Sequence, residues 1–205
     1  MSRPSKIHDA PDEIASLGEL YGQPEEFDHT LADASFRPLN GRRTAEVAMA
    51  VRRPNGKILL QTKESYPPGV FRIPTGGLKR REGIESALLR ETAEETALEV
   101  EIRQFVAILT YRCAPQEIHF RSYLFLLEET GGTLQEEDPE EGITGWTEAD
   151  FDQLAATAGQ LRAIEKSWQN WGRFRSLAID ALLPALHASN RDEGSTASPA
   201  SRSVR

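Results

Sequence analysis

Glu82, Glu91, Glu94 and Glu95, with Arg90 beside them, stand at fixed intervals in the stretch GGLKRREGIESALLRETAEETAL, which runs from Gly76 to Leu98. From Ile84 onward the stretch holds good helix formers and neither proline nor internal glycine, so it reads as a helix. At about 100° per residue, Ile84, Ala87, Leu88 and Leu98 fall on one arc that should face the body of the protein. Glu91, Glu94 and Glu95 are expected on that same arc, whereas solvated charges belong on the opposite one. Carboxylates that converge while losing hydration must protonate or find a cation. Oxygen-only ligands suit Mg²⁺ or Mn²⁺, which bind few carboxylates and keep positions for water and phosphate oxygens.

The same residues carry a family resemblance. Gly76, Glu82, Arg90, Glu91, Glu94, Glu95 and Leu98 resemble the Nudix box, Gly-x5-Glu-x7-Arg-Glu-U-x-Glu-Glu-x-Gly-U, where U is a bulky apolar residue. Thr92 departs from it at an apolar position and Ala97 at the closing glycine. Ala adopts a left-handed helix cap less readily than Gly, so Ala97 suggests a different exit from the helix. Thr92 is expected on the flank away from the carboxylates, where it bears on packing more than chemistry.

The resemblance implies an α/β protein, a Nudix-type α/β/α sandwich with a mixed β-sheet. It also implies hydrolysis of a nucleoside diphosphate linked to another moiety, NDP-X. Glu91, Glu94 and Glu95 would then be metal ligands and catalytic groups, with Mg²⁺ or Mn²⁺ neutralising phosphate charge and lowering the pKa of an attacking water. Arg90 would orient the glutamates, and Glu82 would hold the preceding loop against the helix. Gly76 and Gly77 would present backbone to phosphates, with Lys79 and Arg72 nearby as substrate contacts. Tyr111 and Arg121, along with Arg112 and His119, fall where the family shapes its pocket for the non-phosphate group. The acidic run Glu136, Glu137, Glu140 and Glu141 reads either as a solvated loop or as the source of one further glutamate that the resemblance implies at the site, as ligand or general base. The rival reading, a non-catalytic nucleotide-sensing or protein-binding domain of the same fold, predicts damage among the box carboxylates, and there is none. The isoprenoid diphosphate isomerase branch needs a catalytic cysteine in a setting that Cys113 lacks.

The whole chain has 205 residues, enough for one sizeable core with terminal extensions. Its net charge of −8 argues against general binding to nucleic acid or anionic membranes, though not against a phosphorylated small molecule beside a metal. One cysteine precludes an internal disulfide. No signal peptide or membrane-length apolar run is read, so a cytoplasmic protein is the expectation.

The elements that must position the glutamates follow in order. Residues 1–40 read as an N-terminal extension with a short helix over Ile14–Leu20 and an outer strand over Thr30–Pro38, compatible with a homodimer. The core domain spans 41–188. Thr44–Arg52 and Lys57–Thr62 alternate as a hairpin around Pro54-Asn55-Gly56. Phe71–Pro74 is a short strand into Gly76. Glu99–Tyr111 and Ile118–Leu127 are strands joined around Ala114-Pro115-Gln116, and Gly131-Gly132 marks a turn. Ile143–Thr147 precedes a helix over Glu148–Ala156, and Leu161–His187 forms a long helix that Pro184 kinks or ends. Its stripe of Trp168 and Trp171 reads as packing rather than a stacking platform. Cys113 and His119 read as structural, and Lys79, Arg80 and Arg81 as phosphate attraction or a solvated loop. Residues 189–205 read as a disordered polar tail.

Overall fold

A computed structural model describes residues 8–32, 44–113, 118–135 and 141–195. Its centre is a mixed sheet of seven strands ordered β1-β5-β6-β2-β3-β7, with β4 paired to the free stretch of β2. The strands are β1 (Glu25–Thr30), β2 (Ala45–Arg52), β3 (Ile58–Lys63), β4 (Thr75–Gly77), β5 (Leu98–Cys113), β6 (Ile118–Gly132) and β7 (Ile143–Ala149). β1 runs parallel to β5 and β2 parallel to β6, while the remaining pairs are antiparallel.

Alternation along β2 shows why the sheet is covered on both faces. Ala45, Val47, Met49 and Val51 enter one apolar cluster, and Ala48 and Ala50 enter the other. The first cluster is closed by helices α1 (Pro11–Tyr21) and α2 (Ile84–Thr96) through Leu17, Ile84, Ala87 and Leu88. The second is closed by α3 (Phe151–Ala163) and α4 (Gln169–Ser195) through Leu154, Leu161, Trp171, Phe174, Ile179 and Leu182. A strand apolar on both sides must be sandwiched, and the outcome is the α/β/α architecture.

One charge is built into the second interface. Glu46 faces α4 from β2, where its carboxylate accepts hydrogen bonds from Arg175 (2.7 Å) and Ser122 (2.7 Å) with all three residues buried. A desolvated pair of this kind adds little net stability, because the cost of drying both charges offsets their attraction.

Several element boundaries differ from the sequence expectation. The N-terminal helix covers Pro11–Tyr21, and the outer strand is Glu25–Thr30 rather than Thr30–Pro38, most of which lies outside the described residues. Phe71–Pro74 is no strand; it makes a single bridge, Arg72 to Gln61, and the ladder beside the glycines is β4 itself. Gly131 and Gly132 do not turn the chain but end β6 against Glu99 and Leu98. The late helix is broken at Ile164, where the chain turns extended before a short 3-10 turn over Lys166–Trp168. Pro184 ends nothing, because Leu182 and Leu186 on either side of it are buried and hold α4 to the core. The backbone of α4 continues to Ser195, seven residues into the stretch read as tail. The connection at Ala114-Pro115-Gln116 and residues 196–205 lie outside the described residues.

Candidate active site

Helix α2 begins after Gly83 and lays Ile84, Ala87 and Leu88 on the sheet. The same face carries Glu91 and Glu95 inward, with 7% and 1% of their surfaces exposed. Glu94 departs from the expected arc: its side chain is 54% exposed. Glu91 and Glu95 are one turn apart on the contact line, whereas Glu94 lies about 60° off it, beyond the edge that the sheet covers.

Arg90 organises the entrance. Its Nε and Nη2 donate to the two carboxylate oxygens of Glu82 (2.6 and 2.8 Å), and Nη2 also donates to the Gly77 carbonyl (3.3 Å). Nη1 lies 2.9 Å from Glu91 and 2.7 Å from Glu94. Glu82 in turn accepts the Lys79 amide (2.8 Å), which closes the loop onto the helix. The paired guanidinium holds the Glu82 carboxyl at about 2, well below its ordinary range.

Glu95 experiences the opposite pressure. Burial raises its pKa to about 7, opposed by Lys63 and Arg72 and assisted by Glu91 and Glu141. Lys63 Nζ stands 3.5 Å from Glu95 and 3.3 Å from Glu141. Burial also raises Glu91, against the pull of Arg90. Gly76 explains how Glu91 fits: a Cβ at residue 76 would overlap the Glu91 side chain. The demand on this glycine is therefore room for a carboxylate arm, within a ladder that pairs Gly76 with Val47 and Gly77 with Glu46.

Arg72 and Tyr111 are not at the site in the way the sequence suggested. Arg72 is buried and its guanidinium is engaged by Tyr66 (2.6 Å), the Ile73 carbonyl (2.7 Å) and Thr75 (3.0 Å). With its amide oriented to satisfy both neighbours, Gln61 accepts from Arg72 and donates to Glu95, each at 3.2 Å. Arg72 thus stands behind Glu95 with its guanidinium engaged by protein groups. Tyr111 is 1% exposed and packs edge-on to Phe174 beneath α4, where burial drives its pKa upward. Arg121 is covered by the N-terminal segment, donating to the His8 carbonyl (3.0 Å) and Asp9 (3.2 Å). Lys79 remains exposed, 3.8 Å from Glu94. Cys113 is buried and Arg112 pairs with Asp28. Of the acidic run, Glu141 reaches the cluster through Lys63, while Glu136, Glu137 and Glu140 lie outside the described residues.

Sequence reasoning missed Lys63 and Gln61. Both sit at the end of β3, and nothing along one strand announces that its last residues will face a glutamate 32 positions away. Ala97 was expected to change the helix exit, but it adopts the left-handed conformation itself (φ 56°) and its amide bonds Ala93. Thr92 is fully buried rather than on a flank, its hydroxyl satisfied by the Leu88 carbonyl (2.8 Å).

The donors fit a hard divalent cation in chemistry: all are carboxylate oxygens, and burial outweighs the cations beside the two inner ones, raising both pKa values. Among the described residues no three acidic, histidine or cysteine side chains converge in metal-holding geometry, because Glu94 is turned to Arg90 and Lys79.

A mixed sheet between helical layers, with a glycine ladder feeding a carboxylate helix, is the arrangement of the Nudix type. The NUDIX domain model matches residues 42–169, and the chain belongs to that family, as a pyrophosphohydrolase by class. It is 27% identical over 118 residues to an ADP-ribose pyrophosphatase of Methanocaldococcus jannaschii, spanning 57% of this chain and 68% of that protein. The fold is similar to a NUDIX hydrolase from Nitrosomonas europaea (TM-score 0.50, 19% identity, 70% of this chain and 90% of that one). It is likewise similar to a UDP-X diphosphatase (TM-score 0.50, 16% identity, 89% and 73%). Enzymes of this family generally use divalent metals.

Proposed function

We propose that this chain is a Mg²⁺-dependent pyrophosphohydrolase that cleaves NDP-X substrates, with Mn²⁺ as an alternative metal. The buried pair Glu91 and Glu95 carries the reading. Two carboxylates kept inside a protein, one with its pKa pushed up to about 7 despite Lys63 beside it, are only partly balanced as anions and favour an added cation. Glu91, Glu95 and, once released from Arg90, Glu94 would hold that cation. When bound it supplies positive charge to the diphosphate and acidifies the attacking water.

The chain's own residues do the rest. Arg90, fixed by Glu82 and the Gly77 carbonyl, keeps Glu91 in place. Lys63 balances Glu95 and Glu141 in the absence of substrate and is set to meet a phosphate oxygen. Glu141, 52% exposed, is the group we assign to take the proton of the attacking water. Water attacks phosphorus, the bond to the bridging oxygen breaks, and the products are a nucleoside monophosphate and a phosphorylated X. A net charge of −8 suits a nucleotide-type small molecule held beside a metal rather than nucleic acid. Among the described residues no helix is long and apolar enough to cross a membrane.

The substrate is read from turnover of a panel: ADP-ribose, NADH, dinucleoside polyphosphates, sugar nucleotides and nucleoside triphosphates, each with Mg²⁺ and Mn²⁺. The M. jannaschii relative makes ADP-ribose the first to try. Metal-dependent release of a monophosphate from one class supports the reading. Tight nucleotide binding with no turnover anywhere in the panel would replace it with a sensing role.

A further inference from the structure

Helix α2 has no cap of its own. The residue before it is Gly83, which has no side chain, so the first amides of the carboxylate helix need a partner from elsewhere. That partner comes from 71 residues upstream: Glu13 Oε1, on α1, accepts the Ile84 amide (2.6 Å) and lies 3.4 Å from the Glu85 amide. Gly83 makes the approach feasible, since a Cβ there would stand 2.7 Å from the same oxygen. A carboxylate at this place also complements the positive end of the helix dipole.

The extension is tied down well enough to hold this position. Leu17 is buried beneath α1. Tyr21 donates to Glu85 (2.7 Å), His8 bonds the Tyr123 hydroxyl (2.8 Å), and Arg121 takes the His8 carbonyl and Asp9. The junction it clamps matters to chemistry. Glu82, two residues before the helix, grips Arg90, and Arg90 contacts both Glu91 and Glu94. Arg81 beside it stands at φ 66°, a conformation that costs a residue bearing a side chain.

We propose that Glu13 is a positioning residue for the site: an N-terminal cap supplied by the extension, which holds the loop–helix junction so that Arg90 and the glutamates keep their register. This rests on the hydrolase reading above for its consequence, though not for the contact itself.

The test compares Glu13→Ala and Glu13→Gln in the full chain with Leu186→Ala, a core substitution on the opposite layer that serves as a control for general destabilisation. Three quantities are read: amide exchange at Ile84 and Glu85, Mn²⁺ affinity by electron paramagnetic resonance, and kcat and KM for the best panel substrate. Glu13→Ala should speed exchange at the two amides, weaken Mn²⁺ binding and lower kcat, each by about three- to tenfold, with KM within twofold of the parent. Glu13→Gln keeps the oxygen acceptor and should recover most of the loss, and Leu186→Ala should lower Tm without changing Mn²⁺ affinity or kcat. Parental Mn²⁺ affinity and kcat in Glu13→Ala would overturn the proposal, as would the same losses in Leu186→Ala. A wild-type chain that turns over nothing, yet loses Mn²⁺ affinity in Glu13→Ala, would support the positioning role and sink the hydrolase reading instead.

Discussion

Arg90 holds Glu82 through two parallel hydrogen bonds of 2.6 and 2.8 Å, and that grip ties the loop before α2 to the body of α2. The pair divides the carboxylates of the site into two electrostatic kinds. Glu82 is over-compensated and its pKa falls to about 2; Glu95 is under-compensated and its pKa rises to about 7.

These opposite shifts predict the pH dependence of metal-free stability. Glu82 is depressed from an ordinary 4.5, so its contribution is present above about pH 4.5 and is lost as pH falls toward 2. Glu95 is raised, so the folded state binds its proton more tightly than the unfolded chain, and stability drops as pH climbs from about 4.5 to about 7. The Glu95 effect has an upper bound of about 3 kcal/mol. Thermal melts in chelator across this range should show stability declining toward neutrality, and Glu95→Gln should flatten that decline. An unchanged slope in the variant would contradict the assignment.

Gly76→Ala should lower stability by about 1–3 kcal/mol, the usual cost of overpacking. The new methyl group meets the Glu91 arm, so activity should fall more than the melting temperature alone explains. Urea titration together with initial rates separates the two effects. A fully active Gly76→Ala protein would show that Glu91 need not lie where it does.

Ala97→Gly makes the opposite kind of change. Ala97 sits at φ 56° in a conformation that costs a side-chain-bearing residue about 1–2 kcal/mol, and glycine adopts it freely. After the entropy that glycine costs in the unfolded chain, a net gain of about 0.5–1 kcal/mol is expected, read as a higher Tm. Turnover should be unaltered, because no ligand moves.

How much of this was legible depended on range. The carboxylate helix, the Asn55-Gly56 hairpin and strand β2 were readable because each is decided by neighbours within a few residues, whereas the burial of both faces of β2 was not. Glu94 was misplaced because periodicity gives an angle and not the width of surface that a sheet will cover. Tyr111 was proposed from the family resemblance, which names a strand and not a face, and its ring lies buried beside Phe174 under α4. Arg72 looked like a phosphate contact only until Tyr66, Thr75 and Gln61 were seen around it. Lys63 and the Glu13 cap were unreadable for the same reason: both join segments dozens of residues apart, which no single-chain pattern encodes.

The central claim is that the buried glutamates of α2 work by holding a divalent cation against a diphosphate. The most direct measurement is the rate of ADP-ribose cleavage as Mg²⁺ is titrated, for the parent and for Glu95→Gln, with the fold of each followed by its melting temperature. The account predicts a rate that vanishes without metal, saturates with it, and falls at least about a hundredfold in Glu95→Gln while the variant stays folded. A folded Glu95→Gln protein with the parent's rate and metal response would contradict it.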